Sequence, residues 1–430
     1  MDRDRIIIGA GLSGLSAAYH GGGFVYERED IVGGTCISPK VHGFVFDLGI
    51  HVLHTQNAYV LDLLNSRLKC KMRLKRRSAW IYSHSVMTKY PFQVNTFGLP
   101  ENIKRSCVKG FKEVAKNKIE EPGYENYEEW VYAKFGNGIA NNFYLPYSEK
   151  FWTISPREMT TDWLNVRVPV PKLREVVEGS RRLYKKEYGP NALFRYPSKS
   201  GISEIPESFL SEVKDRIFLK KKAIDLSLKN RTIRFKDNSS VSYKTLISTM
   251  PIPELFKTLG DMVPSKVKDA VKGLRCNSIL CVNIGIGRPN ICDSHWIYYP
   301  EENYSFFRIS FPGNFCRKLV PLNKSSITAE IAYSDYKPID KKKIADKVIK
   351  DLLKAKIIKI KDKIELIDVR DIKYGYPIYD HDRKKNMEVI ENYLKNFDIY
   401  LAGRYGRWEY QWMHDAILDG KRAARGVIDK

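Results

Sequence analysis

The chain switches between two kinds of hydrophobic pattern, and the switch points predict its elements. Ile6-Ile7-Ile8 is a short continuous apolar run, as expected of a strand buried on both faces. Leu15-Ser16-Ala17-Ala18-Tyr19 continues as a helix, and Phe24-Val25-Tyr26 predicts a second strand that ends in the acid Glu27. Helical signals fill 100–190, for example Asn126-Tyr127-Glu128-Glu129-Trp130-Val131 and Pro156-Arg157-Glu158-Met159. Strand signals return over 193–250, where Ile233-Arg234-Phe235 and Val241-Ser242-Tyr243 flank a polar turn and 245–250 reads as a buried strand. Residues 275–380 alternate like an antiparallel sheet, interrupted by a lysine-rich helix over 341–355. On that helix Ile344, Val348 and Leu352 share one face and the lysines take the other. Asp398-Ile399-Tyr400-Leu401 predicts a last strand, followed by a helix from Ala416 to Val427.

The first strand runs straight into Gly9-x-Gly11-x-x-Gly14, a dinucleotide-binding fingerprint. Gly9 allows the tight turn, Gly11 lets a pyrophosphate approach the backbone, and Gly14 lets helix and strand pack closely. The helix that starts there, with Ser13 in its first turn, offers unpaired N–H groups and a positive dipole end, worth about 0.3–2 kcal/mol to an anion. Glu27 stands where an acid accepts from ribose hydroxyls. It lies 18 residues after Gly9, and Gly21-Gly22-Gly23 intervenes, so the first helix is expected to be clipped by about a turn.

The next residues separate FAD from NAD. Glu27-Arg28-Glu29-Asp30 leads to Val32-Gly33-Gly34-Thr35, then to Gly43-Phe44-Val45-Phe46-Asp47-Leu48-Gly49-Ile50-His51. This series resembles the FAD-dependent amine oxidase-like superfamily, in which the second stretch lies against the flavin. The closing Gly403-Arg404 segment and the helix after it resemble the superfamily's last FAD-contacting unit. The expected fold is α/β: an FAD-binding Rossmann-like domain with an inserted helical domain and an antiparallel β-sheet domain. The FAD-binding domain is expected in three parts, 1–75, 191–250 and 386–430. The helical domain takes 99–190, and the sheet domain takes 76–98 and 251–385.

Bulk properties narrow the class. A chain of 430 residues with 43% apolar content buries a large core in two or three domains. The start is charged and no window holds about 18 uninterrupted apolar residues, so neither a secretory signal nor a membrane span is expected. The seven cysteines lack paired spacing and the eight histidines are scattered, which argues against a disulfide framework or a metal site. A cytoplasmic location with reduced thiols is the expectation. The net charge of +23 is spread over amphipathic stretches without a nucleic-acid module, and it favours approach of a doubly negative substrate. The oligomeric state is left open.

A longer series carries a more specific resemblance. Tyr90-Pro91-Phe92-Gln93, Gly136-x-Gly138, Pro146-Tyr147, Phe151-Trp152, Trp163-Leu164-x-x-Arg167, Gly189-Pro190-Asn191, Trp296-Ile297-Tyr298, Gly375-Tyr376-Pro377 and Gly403-Arg404-Tyr405-Gly406-x-Trp408-x-Tyr410 occur in this order. The series resembles the UDP-galactopyranose mutases, closer to the eukaryotic-type branch, over essentially the whole chain. On chemical grounds alone, a diphosphate needs fixed cations, and Arg is suited to it by its planar, permanently charged fork. Arg308, in the apolar stretch Phe306-Phe307-Arg308-Ile309, needs either an anionic ligand or an internal salt bridge.

The resemblance implies that Arg167 and Arg308 hold the diphosphate and that Tyr298, Tyr376 and Tyr410 reach the phosphates. It puts Asn191 and Trp296 near the sugar and Tyr90, Phe92, Gln93, Phe143 and Trp152 around the uracil. It also implies cofactor contacts from Gly9, Gly11, Ser13, Gly14, Glu27, Arg28, Gly34, Thr35, Gly49, Ile50, His51, Gly403, Arg404, Tyr410 and Asp415, with His51 counted among the catalytic residues beside Arg167 and Arg308. The implied reaction interconverts UDP-galactopyranose and UDP-galactofuranose with no net redox change. Reduced flavin attacks the anomeric carbon through N5, and NADPH or NADH reduces the flavin beforehand.

Three positions depart from the family's pattern. Ile50 replaces the middle glycine of Gly-Gly-His, Ser148 replaces an Asn in the uracil pocket, and His414-Asp415 replaces Asn-Gln. They leave room for another nucleotide sugar, such as UDP-N-acetylgalactosamine or UDP-arabinopyranose. Two rival readings stand beside the mutase: a flavin oxidase acting on an amine or porphyrinogen-like substrate, and a catalytically silent FAD- and nucleotide-sugar-binding protein.

Overall fold

The computed structural model describes residues 5–428 except 117–122, 165–166, 185, 187, 190–191 and 261–262. One layer is a five-stranded parallel sheet with its strands in the order Ile399–Leu401, Thr245–Ser248, Arg5–Ile8, Phe24–Tyr26 and Ile217–Phe218. Both faces of this sheet are covered, which is why its first strand reads as unbroken isoleucine. Ile6 and Ile8 pack with Leu255, Ile390 and Leu394 of the helices Ile252–Leu259 and Arg383–Lys395. Ile7 faces the other way, onto Leu15 and Ala18 of the helix Leu12–Gly21 and Ile417 of the helix Met413–Ile428. The first helix is 10 residues long, the clipped length its glycine-rich exit predicts.

The second layer is a seven-stranded sheet in the order Ile364–Ile372, Ser278–Ile286, Ser325–Tyr333, Arg308–Ser310, Trp296–Tyr298, Ala79–Ser83, Val86–Lys89. Its pairings are antiparallel except one: Trp296–Tyr298 runs parallel to Ala79–Ser83. The sequence pattern suggests an antiparallel sheet throughout. The exception arises because those two strands are joined through the rest of the fold rather than by a hairpin, which leaves their direction unconstrained.

Alternation divides this sheet into two chemically different faces. Leu280, Val282, Ile284, Ile309, Ile327, Ala329 and Ile331 bury themselves against Ile344, Val348 and Leu352 of the helix Ile344–Lys354. The opposite face carries a row set by register, Tyr298 beside Arg308, Arg308 beside Glu330 and Glu330 beside Cys281. A neighbouring row holds Trp296, Ser310, Thr328 and Asn283. Helices Glu101–Lys116, Tyr127–Ile139, Leu145–Trp152 and Leu173–Arg181 make up the helical region. Among the described residues no helix is long and apolar enough to cross a membrane, and no group of His, Cys, Asp or Glu is arranged to hold a metal ion.

Candidate functional site

The glycine turn is built as its residues require. Gly9 has φ +100°, a left-handed geometry that side chains resist, and a Cβ on Gly14 would stand 1.9 Å from the Gly9 carbonyl oxygen. The following helix, Leu12–Gly21, has Gly11 as its N-cap and no side-chain cap, so among the described residues its first N–H groups are open to an anion. Gly34 lies against Gly11, and Gly403 lies against Ser13. Glu27 is buried at the end of its strand and accepts from the backbone N–H groups of Ala10 (2.7 Å) and Glu29 (3.0 Å). The short helix therefore still delivers the acid to the turn. Arg28, by contrast, is exposed and pairs with its neighbour Glu29.

The loop at 47–51 lies against the second sheet, where Gly49 faces Glu330 and Cys281. Asp47 accepts from Ser38 Oγ (2.6 Å), Tyr196 Oη (2.5 Å) and the Ile202 N–H (3.1 Å), yet burial lifts its carboxyl to about 6. A small cavity lined by Asp47, Gly49, Ile50, His51 and Tyr196 adjoins it. Burial, with the Arg404 guanidinium nearby, pushes His51 down to about 4, and its Nδ1 has no partner among the described residues. The Ile50 N–H donates to Glu330 Oε1 (3.3 Å).

Glu330 also holds Arg308, accepting from Nε at 2.6 Å and Nη2 at 2.8 Å. Both side chains are largely buried, 14% and 3% exposed. Burial alone would favour the neutral guanidine, but Glu330 holds Arg308 well above its ordinary pKa. Of the two possibilities the sequence leaves open for Arg308, the internal salt bridge is therefore present.

Aromatic side chains join the layers. Phe92 stacks on Phe143 (5.1 Å), Phe143 on Tyr147 (5.5 Å) and Tyr147 on Phe151 (6.1 Å). Tyr298 meets Tyr90 (4.9 Å) and Tyr147 (5.5 Å), while Phe151 leads to Tyr376 (4.8 Å). Tyr376 contacts Tyr410 at 5.4 Å, and Trp152 closes on Tyr410 at 5.7 Å. Gln93 is buried with its amide on the Pro169 carbonyl (3.1 Å). Trp296 packs with Phe194 and Phe315 instead of joining the tyrosines, although it shares a sheet face with Tyr298. Asn191 lies outside the described residues.

Cations gather around the Tyr376–Tyr410 pair. Arg404 lies 4.9 Å from the Tyr376 ring, Arg167 lies 5.0 Å from the Tyr410 ring, and Arg308 is among the charges that act on Tyr376. Arg167 donates to the carbonyls of Trp163 (2.9 Å) and Tyr410 (2.6 Å) and approaches Asp415 at 3.7 Å. Asp415 itself accepts from the Trp412 N–H (2.9 Å). Arg404 donates to the Gln411 carbonyl and has no carboxylate partner among the described residues. A mostly buried guanidinium without a counter-charge is costly unless an anion meets it. Thr35 is bonded to Tyr405, which places the Gly33-Gly34 turn beside this cation.

A sequence profile of the family described as flavin containing amine oxidoreductase matches residues 12–428. The chain belongs to that family. Like other flavin containing amine oxidoreductases it is expected to carry FAD, and its residues fit the group. The uncapped helix end, the glycine turn, buried Glu27, orphaned His51 Nδ1 and uncompensated Arg404 together form a cradle for an anionic dinucleotide. Within the family's fold, the chain is similar to a crystal structure of reduced UDP-galactopyranose mutase, with 27% identity and a TM-score of 0.92 over 100% of this chain and 94% of that one. A provisionally named protoporphyrinogen oxidase from Exiguobacterium sp. 255-15 has the same fold, with 15% identity and a TM-score of 0.74 over 100% of both chains. So does cyclohexylamine oxidase from Brevibacterium oxydans IH-35A, with 13% identity and a TM-score of 0.69 over 100% of this chain and 99% of that one.

Sequence reasoning missed several residues of this site. Glu330 is the clearest, and a signal existed: it is a lone acid inside the apolar run Ile327-Thr328-Ala329-Glu330-Ile331-Ala332. Asp47 belongs to the flavin-side stretch 43–51, but the pattern there gives no hint of its three hydrogen bonds. His54, edge-on to Trp412 at 4.3 Å with neither ring nitrogen bonded among the described residues, carried no local signal.

Proposed function

We propose that this chain is a flavin-dependent mutase that interconverts UDP-galactopyranose and UDP-galactofuranose, or a closely related pair of UDP-sugars, without net redox change. The observation that carries this reading is the pair Arg167 and Arg308 beside Tyr410 and Tyr376, in a chain similar over its whole length to a reduced UDP-galactopyranose mutase. FAD, once bound and reduced by NADPH or NADH, supplies the nucleophile that exchanges with UDP at the sugar.

The chain's own groups retain and orient the nucleotide. Arg308 keeps its Nη1 edge without a hydrogen bond among the described residues, so it can hold a phosphate oxygen, while Arg167 is fixed over the Tyr410 ring by its bonds to the Trp163 and Tyr410 carbonyls. Burial, followed by the neighbouring Tyr410, raises the Tyr376 phenol, which stays protonated and donates. His51, pushed down to about 4, is neutral at pH 7 and adds no charge. Retaining the departing diphosphate in place converts its return into an intramolecular step. Ser148 is buried against the Tyr127 hydroxyl (3.3 Å), so the departure in the base pocket is filled internally.

The test offers several UDP-sugars to dithionite-reduced, FAD-loaded protein and follows pyranose–furanose exchange by chromatography. Exchange by the reduced form alone is expected. Exchange by the oxidised form rejects the reduced-flavin route, and hydrogen peroxide released from an amine, without exchange, rejects the mutase in favour of an oxidase.

A further inference from the structure

We propose that Glu330 is a positioning residue for Arg308 that also sets how much positive charge the site offers to a diphosphate. This rests on the reading of Arg308 as a diphosphate ligand.

The geometry divides the guanidinium into two edges. Glu330 occupies the Nε/Nη2 side at 2.6 and 2.8 Å, which leaves the Nη1 side without a hydrogen bond among the described residues. A carboxylate gripping one edge fixes the plane of the fork, so the free edge is aimed before any ligand arrives. The register makes this arrangement rigid, since Arg308 and Glu330 sit directly opposite on paired strands. The same carboxylate accepts the Ile50 N–H, tying the aim of Arg308 to the loop that carries His51.

Charge is the second consequence. Arg308 and Glu330 cancel, and Arg167 is partly offset by Asp415 at 3.7 Å, while Arg404 is given to the anionic dinucleotide. The two arginines thus attract a diphosphate through less than one net cation. A mutase must release its nucleotide-sugar after each exchange. An unopposed Arg308 would hold both substrate and product more tightly than turnover allows.

The experiment measures UDP binding by calorimetry and steady-state kinetics on FAD-loaded protein. Glu330→Gln is expected to tighten UDP binding by about tenfold or more, the scale of a close desolvated charge pair. KM and kcat should fall together, the pattern of a ground state held too well. A residue serving stability alone would instead leave UDP binding unchanged or weaker, and either result overturns the proposal. In an Arg308→Met background, Glu330→Gln should change UDP affinity by less than about twofold, because its effect runs through Arg308. A larger change there also overturns it.

Should Glu330→Gln not fold, Glu330→Asp decides. Charge kept with the two-point grip lost should leave UDP affinity within about threefold of wild type and lower kcat by about tenfold or more. Wild-type affinity with wild-type kcat overturns the positioning role. Wild-type protein that does not bind UDP, or binding unaffected by Arg308→Met, overturns the underlying mutase reading. Binding lost in Arg308→Met, with Glu330→Gln weaker or unchanged, removes only the role given to Glu330.

Discussion

Asp47 offers a prediction whose size comes from its surroundings. Its carboxyl is largely enclosed and lifted from 3.8 to about 6, because three hydrogen bonds do not offset the loss of water. A carboxyl raised in the folded state contributes stability that is fully present below its unfolded pKa and is lost as pH climbs through the folded one. The loss is about 3 kcal/mol, since each pH unit between the two values is worth roughly 1.4 kcal/mol. Asp47→Asn keeps the shape. Its Oδ1 still accepts from Ser38 and Ile202, and its amide can donate to the Tyr196 oxygen. The variant and the wild type should therefore be closest in stability at pH 4, the acid end of the range. Above pH 6 the variant should gain up to about 3 kcal/mol, or about 3 °C in Tm for a chain of this length if it unfolds as one unit. Calorimetry or urea unfolding across pH 4–8 measures it, and the difference between the two proteins isolates Asp47 from histidines that titrate in the same window. A variant less stable than wild type at pH 8, or a difference that does not change with pH, would refute the reasoning.

Other changes test the neighbouring parts. Gly14→Ala forces a methyl to within 1.9 Å of the Gly9 oxygen. It should cost about 1–3 kcal/mol of stability and lower the flavin absorbance of purified protein, since the turn must open to admit it. Arg167→Met should weaken UDP binding by about 2–5 kcal/mol in calorimetry, with the Tm as a control for the two carbonyl bonds it also removes. Near-wild-type UDP affinity in that variant would mean that the diphosphate is held elsewhere.

The features legible along the chain are local in origin. Ile6-Ile7-Ile8, the three glycines and the acid after Phe24-Val25-Tyr26 fall within one strand–turn–helix–strand unit, where the turn dictates residue type over a few positions. The face of Ile344, Val348 and Leu352 was legible for the same reason, since helical spacing is a local rule. Several candidate site residues could be named from motif order, including Arg167, Arg308 and Arg404, but not what their charges meet. Only the folded arrangement reveals that Arg308 is compensated by Glu330 from the adjacent strand, while Arg404 meets the Gln411 carbonyl and the Tyr405 hydroxyl but no carboxylate among the described residues. It also left Arg28 exposed and set Trp296 apart from the tyrosines. The reason is physical. Strand register and the packing of distant segments choose the partner of a buried charge, and no spacing rule along the chain encodes that choice.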